Sequence, residues 1–327
     1  MIEALPYERV NLQVVSAIVV LLGCSNAAAN ARDQTGIPAA AAAAGYFVHT
    51  QLAPTPSSVD INDTTAPGYL WYRRSFFQNT STPREGITFN QSNTLILQNG
   101  VLLSGAPTKQ SHWTGLAFGG GGYFEAELKF DPDQVIRRRE TGWPAFWTMA
   151  VEHFAGLKGQ QWLGQKPGFA HFIEVDAFEY DLATLTQKNR YGATIHDWFG
   201  TYTCAGQGYC NVNTTSAGGS LFANAVITLR PSVDLSQYHR YGFLWIPATQ
   251  TAKGYVQNFF DGRPVGGRTT WDKFENELPP PGKTKWSFGI LDQQHLLIAL
   301  QSGASQPMSV QSVDIWQKST KDNLINR

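Results

Sequence analysis

Charge is scarce in this chain: 25 Lys+Arg and 25 Asp+Glu make up 15% of 327 residues, and the formal net charge is zero. No basic cluster stands out, so neither nucleic acid nor an anionic membrane surface has a field to follow, and nucleic acid is not an expected partner. Cysteine is scarcer still, with three in all, which excludes a disulfide framework or a cysteine-rich metal site as the organiser of the fold. Long hydrophobic runs are missing too. The apolar stretch from Val14 to Leu22 has nine residues, too few to cross a bilayer. No long segment carries the periodicity of an amphipathic helix.

What the chain has instead is aromatic and glycine residues: 19 Phe, 12 Tyr, 10 Trp and 31 Gly, within 42% hydrophobic composition. Short runs of β-branched and aromatic residues recur between Gly, Pro and Asn punctuation, the pattern of an all-β sandwich with a core large enough to stand without metals. Asn99-Gly100 and Asp261-Gly262 read as hairpin turns. Stretches at about 151–170, 198–224 and 262–284 read as long loops, which commonly form functional rims. The four glycines Gly119 to Gly122 precede a strand rather than open a helix, so they read as a tight turn and not as a phosphate cradle.

The apolar run at 14–22 is followed by small residues through Ala27-Ala28-Ala29 and Ala29-Asn30-Ala31. Residues 1–31 therefore read as a secretory signal peptide. Leu21-Leu22-Gly23-Cys24 resembles a lipobox, so a lipid anchor at Cys24 is the alternative to free secretion; either reading places the protein outside the cytoplasm. Residues 32–46, polar and then alanine-rich, read as a linker, which leaves 47–327 as the folded domain. Cys204 and Cys210 flank a short glycine-containing loop. In an exported protein they read as a disulfide; two free thiols are the alternative, and a metal site lacks further ligands at suitable spacing. Asn62, Asn79, Asn90 and Asn213 each open an Asn-x-Ser/Thr sequon, meaningful only in a eukaryotic secretory pathway.

The most informative stretch is His171-Phe172-Ile173-Glu174-Val175-Asp176-Ala177-Phe178-Glu179-Tyr180-Asp181. Glu174, Asp176 and Glu179 sit in a run otherwise built for burial, where an unpaired charge loses its hydration. Side chains alternate along a strand, so Glu174 and Asp176 share a face and Glu179 falls on the other. One extra residue absorbed between Asp176 and Glu179, a β-bulge, would bring all three together. Two glutamates so placed, with an aspartate between them, are the equipment of a retaining glycosidase. The spacing alone does not exclude the polar face of an ordinary half-exposed strand.

The flanking segments carry a resemblance. Glu174-x-Asp176-x-x-Glu179, the strand Gly122-Tyr123-Phe124-Glu125-Ala126-Glu127-Leu128-Lys129-Phe130, Trp143-Pro144-Ala145-Phe146-Trp147, Tyr191-Gly192-Ala193-Thr194-Ile195-His196, and His239 to Trp245 followed by Phe260-Asp261-Gly262 occur in one order. Together they resemble glycoside hydrolase family 16, in the bulged form of its laminarinases, agarases and carrageenases. The resemblance implies a β-jelly-roll sandwich of the concanavalin A-like lectin and glucanase type, with a concave substrate groove. It implies a nucleophile at Glu174, an assisting carboxylate at Asp176 and a general acid/base at Glu179, with His196 at a cleft position. Gln311 stands where many members place a calcium-ligating Asp, so no cofactor is expected.

Flat aromatic side chains suit the apolar faces of sugars. Trp143, Trp147 and Trp198 are the candidates for the groove beside His196, with Trp162 a further one and Trp245 assigned to the core. His171 and His239 read as structural. The expected function is an exported, monomeric endo-glycosidase acting with retention on a β-linked polysaccharide, most directly a β-1,3- or β-1,3/1,4-glucan. An agarase- or carrageenase-like galactanase, a transglycosylase, and a non-catalytic lectin on the same fold are the alternatives.

Overall fold

A computed structural model describes residues 36–326, apart from 75–80, 109–112, 139–141, 153–168, 182–186, 206–208, 214–218, 274–287 and 305. The expected signal peptide and Cys24 lie outside the described residues, as do Trp162, Asn79 and the side chains of His171, Cys204, Cys210 and Asn213.

The chain begins with helix α1 (Ala39–Ala43) and strands β1 (Val48–Gln51), β2 (Val59–Asp60) and β3 (Trp71–Tyr72). Five short strands follow: β4 (Ile87–Phe89), β5 (Leu95–Leu97), β6 (Gly100–Leu103), β7 (Gly105–Pro107) and β8 (Trp113–Ala117). The long strands are β9 (Gly122–Phe130), β10 (Ala145–Ala150), β11 (Phe169–Glu179) and β12 (Arg190–Ala205). Next come β13 (Tyr209–Asn213), β14 (Gly219–Thr228), β15 (His239–Ile246), β16 (Gly254–Phe260) and β17 (Arg263–Trp271). The last are β18 (Leu296–Ser302), β19 (Met308–Gln317) and β20 (Leu324–Ile325).

They form an all-β jelly-roll sandwich. One sheet runs β17-β16-β15-β9-β19-β5-β4, with β1 also on β19. A second runs β13-β12-β11-β10-β18-β6-β3-β2, with β14 also on β12, and a small third sheet runs β20-β8-β7. Between them lies one continuous core, including Phe124, Ala126 and Phe243 from the first sheet and Phe146, Ile173, Val175 and Phe178 from the second. Tight aromatic pairs join the layers, such as Phe178 against Tyr241 at 4.2 Å between centroids and Phe130 against Phe178 at 5.4 Å. Trp245 is fully buried, as its place in an apolar strand indicated, and its indole N–H donates to Asp292 at 3.0 Å.

Several expectations need correction. Asp261 and Gly262 both have positive φ, 48° and 73°, and make the two-residue turn joining paired β16 and β17. Asn99-Gly100 is different. Asn99 has φ 57°, but β5 and β6 never pair: the turn carries the chain from one sheet to the other. The stretch 198–224, expected as a loop, is largely the continuation of β12 with β13 and much of β14, and 262–284 begins with β17.

The alanine run is also part of the fold rather than a tether. Helix α1 buries Ala41 completely against Tyr46, Tyr123, Leu244, Phe259 and Trp316. Tyr46 donates its hydroxyl to the Trp245 carbonyl at 2.9 Å. A five-residue helix does not stand alone in water; this apolar bed on the outer face of the β9–β19 sheet holds it.

Candidate active site

Strand β11 lies between β10 and β12, inside its sheet. Its pairing shows where the faces change. Glu174 lies opposite His196, Val175 opposite Ile195 and Asp176 opposite Thr194; the register then shifts, and Glu179 lies opposite Gly192. Against β10 the same slip occurs: Trp147 faces Asp176, while Phe146 faces Phe178. The extra residue is Ala177, fully buried. Ile173, Val175 and Phe178 therefore point into the core, and Glu174, Asp176 and Glu179 share the outer face. The bulge required by the parity of the sequence is present.

On that face the neighbours converge. The Trp198 indole N–H donates to Glu174 Oε2 at 2.6 Å, and the Trp143 N–H donates to Glu179 Oε1 at 3.1 Å. His196 Nε2 lies 3.4 Å from Asp176 Oδ2, and its ring stacks on Trp198 at 5.3 Å between centroids. Trp147 lies opposite Asp176 and is 6% exposed. The structure thus brings together Glu174, Asp176, Glu179, Trp143, Trp147, His196 and Trp198, while Trp162 lies outside the described residues.

Asp176 is 1% exposed. Burial lifts its carboxyl well above the usual range, and the charge of Glu179 adds to the effect. Glu174 is also held well above its usual range, by burial first and then by the negative charge of Asp176; His196 and the Trp198 hydrogen bond pull the other way. Glu179 is raised by burial, an effect opposed by Trp143, His196 and Asp176. Among the described residues neither Asp176 oxygen has a hydrogen-bond partner, although both are buried. Three carboxyls crowded in this way cannot all ionise easily, so the cluster retains protons where isolated carboxyls would not.

Ala145 and Gly192 flank Glu179 on the two neighbouring strands, and Met149 flanks Glu174. Side chains as small as the first two leave space beside Glu179, where Trp143 is the indole in contact, while Trp198 and Met149 stand at the Glu174 end. Ala145 and Gly192 fall within segments that carry the resemblance, but nothing in the sequence marks any of the three as a neighbour of a glutamate. Their only signal is cross-strand register, which depends on the pairing.

Cys204 and Cys210 occupy directly opposed positions on β12 and β13, a backbone placement compatible with a disulfide. His239 is structural: its Nδ1 meets Asp261 Oδ2 at 2.8 Å, beside the β16–β17 turn.

No family model matches the chain, and no curated protein matches it. Solved structures of similar outline include an endo-1,3-beta-glucanase from Streptomyces sioyaensis, 19% identical, covering 86% of this chain and 96% of that chain at a TM-score of 0.37. LamAcat from Zobellia galactanivorans is 13% identical, with 83% and 97% covered and a TM-score of 0.38. The exoplasmic/lumenal domain of VIP36 in its Ca2+/Man3GlcNAc-bound form is 10% identical, with 73% and 90% covered and a TM-score of 0.31. Likenesses this distant carry no functional weight.

Proposed function

We propose that this protein is a glycoside hydrolase of the family 16 type that cleaves a β-linked polysaccharide with retention. The observation that carries the reading is the Ala177 bulge, which sets Glu174, Asp176 and Glu179 on one face of β11 with an indole N–H on each glutamate. In the first step the Glu179 carboxylic acid gives its proton to the glycosidic oxygen while Glu174 attacks the anomeric carbon. In the second, Glu179 takes a proton from water as that water releases the sugar from Glu174. Asp176 is the positioning group between them. Trp143, Trp147, His196 and Trp198 form the sugar-binding surface.

A β-1,3- or β-1,3/1,4-glucan is the proposed substrate, and an exported monomer with its Cys204–Cys210 disulfide closed is the proposed form. The test is a polysaccharide panel of β-glucans, agarose and carrageenan, with NMR of the earliest products. The new reducing end should appear first as the β-anomer. An α-anomer appearing first would overturn the retaining mechanism, and binding without cleavage of every polymer would assign the chain to the lectins.

A further inference from the structure

A second concave site opens at the edge of the sandwich, between the two sheets and on the opposite face of β12 from the carboxylates, with Gly267 and Arg268 exposed at its mouth. There, between β14 and β17, is a cavity of about 220 Å³ lined by Ala193, Ile195, Ala225, Val256, Asn258 and Gly267, among others. Its origin can be read in the chain. Small residues stand at 193, 225 and 267, where larger ones would fill the gap between the sheets. Strand β17 also bows. From Val256↔Thr269 to Asn258↔Val265, β16 advances two residues and β17 four, so Gly266 and Gly267 form a bulge that opens the wall. Gly266 has φ 66°, and a Cβ there would meet Ile227 at 3.0 Å and Ala225 at 3.3 Å.

The cavity has a polar group with nothing to bond. Asn258 is 9% exposed, and its Oδ1 is buried without a hydrogen-bond donor. A buried amide oxygen in that condition is an acceptor open to a donor from outside the chain. The lining mixes polar and apolar groups: Thr194, Arg268 and Thr269 stand with Asn258, and Ala193, Ile195, Ala225 and Val256 supply the aliphatic part. The Arg268 guanidinium lies over the Tyr255 ring at 4.3 Å. Tyr255 packs with the cluster on the outer face of its sheet, so the cation is directed away from the cavity. What remains is the Asn258 acceptor, two threonines and the aliphatic side chains of Ile195 and Val256.

A cavity of about 150 Å³ holds a benzene ring, so 220 Å³ takes one six-membered ring with its hydroxyl groups. We propose that the cavity binds a single neutral pyranose, one hydroxyl donating to Asn258 Oδ1 while the C–H face of the ring lies on Ile195 and Val256. The choice of sugar rests on the polysaccharide reading above. The site itself is separate from the carboxylates, and serves to hold a chain end or a released monosaccharide.

The test uses the full chain and two probes, methyl β-D-glucopyranoside and methyl β-D-galactopyranoside, with binding followed by titration and saturation-transfer NMR. Ala225→Leu fills the cavity from β14, and Asn258→Leu removes the acceptor. At least one glycoside should bind the wild type, and each variant should weaken that binding at least tenfold, with polysaccharide cleavage unchanged. Ala225→Leu, at a partly exposed position, keeps the test decisive should Asn258→Leu not fold. Absence of binding by both glycosides means that the cavity holds only water and overturns the proposal. Undiminished binding by Ala225→Leu means that the probe sits elsewhere, and overturns it equally. If no polymer is cleaved but glycoside binding is lost in Ala225→Leu, the enzymatic reading fails and this one stands.

Discussion

Replacing Asp176 by Asn should make the protein more stable near neutral pH. Asp176 is 1% exposed and lies between two glutamates, and all three carboxyls are pushed above their ordinary values. A carboxyl whose folded pKa is raised binds its proton more tightly in the folded chain than in the unfolded one. Its contribution therefore opposes folding progressively as pH climbs above the unfolded value, 3.8 for Asp, until the folded pKa is passed. Each proton so held weakens the fold by about 1.4 kcal/mol per pH unit within that window. Asparagine carries no such proton, and its amide N–H can donate to a neighbouring glutamate. The expected gain at pH 7 is about 2 kcal/mol, a typical size for relieving a strained active site, or about 4–8 °C in midpoint. At pH 4 the gain should vanish. Thermal unfolding of wild type and variant from pH 4 to pH 8 reads this directly, and the difference between them cancels the titrating groups outside the cluster. Equal stability at pH 7, or a gain that does not shrink on acidification, would refute the idea that the cluster is held together under electrostatic strain.

Glu174→Gln and Glu179→Gln should each abolish hydrolysis with the fold intact by circular dichroism, and Asp176→Asn should retain some turnover; substantial activity in either glutamine variant would remove the assigned roles. The two indoles should act on opposite limbs of the pH–rate profile. Trp143→Phe removes a hydrogen bond that lowers the Glu179 pKa, so the basic limb should move to higher pH, while Trp198→Phe does the same to Glu174 and should move the acidic limb upward. Limbs that stay in place in both variants would show that the indoles serve packing alone. Cys204 and Cys210 should be found joined when the exported protein is alkylated without reduction and mapped by mass spectrometry; two alkylated thiols would reject the pairing. His239 is held above its ordinary pKa by Asp261 despite burial, which lowers it. Its contribution is present below about pH 6.5 and fades as pH rises through the folded value, so His239→Gln should destabilise the protein at pH 5.5 more than at pH 8.5, by denaturant unfolding.

The site is legible in the sequence because it rests on a parity argument. A strand has a period of two, so Glu179 can join Glu174 and Asp176 only through an inserted residue, and Ala177 is that residue. Asp261-Gly262 is legible for the same kind of local reason, two adjacent residues suited to positive φ. Asn99-Gly100 misleads because a turn signal reports a reversal and says nothing about which sheet receives the next strand. The alanines at 39–43 carry almost no periodic signal. What fixes their helix is Tyr46 and the distant Tyr123 and Trp316, a tertiary cause that local pattern does not record. The second half of β12 reads as loop because the glycine- and asparagine-containing residues that follow it, 206–219, mask the strand-prone Trp198 to Thr203 before them.

The order of strands has a kinetic consequence. β19 lies between β9 and β5, and β18 lies between β10 and β6. Each sheet thus has, near its middle, a strand drawn from residues 296–317, with its neighbours far earlier in the chain. Neither sheet closes until those strands arrive, so half-made chains on the ribosome expose unpaired edges at β9 and β10 and gain little native stability. Closure of loops this long is slow, on the order of milliseconds to seconds for sandwiches of high contact order. A chain stopped before residue 296 should therefore be recovered as aggregate or as a chaperone-bound species.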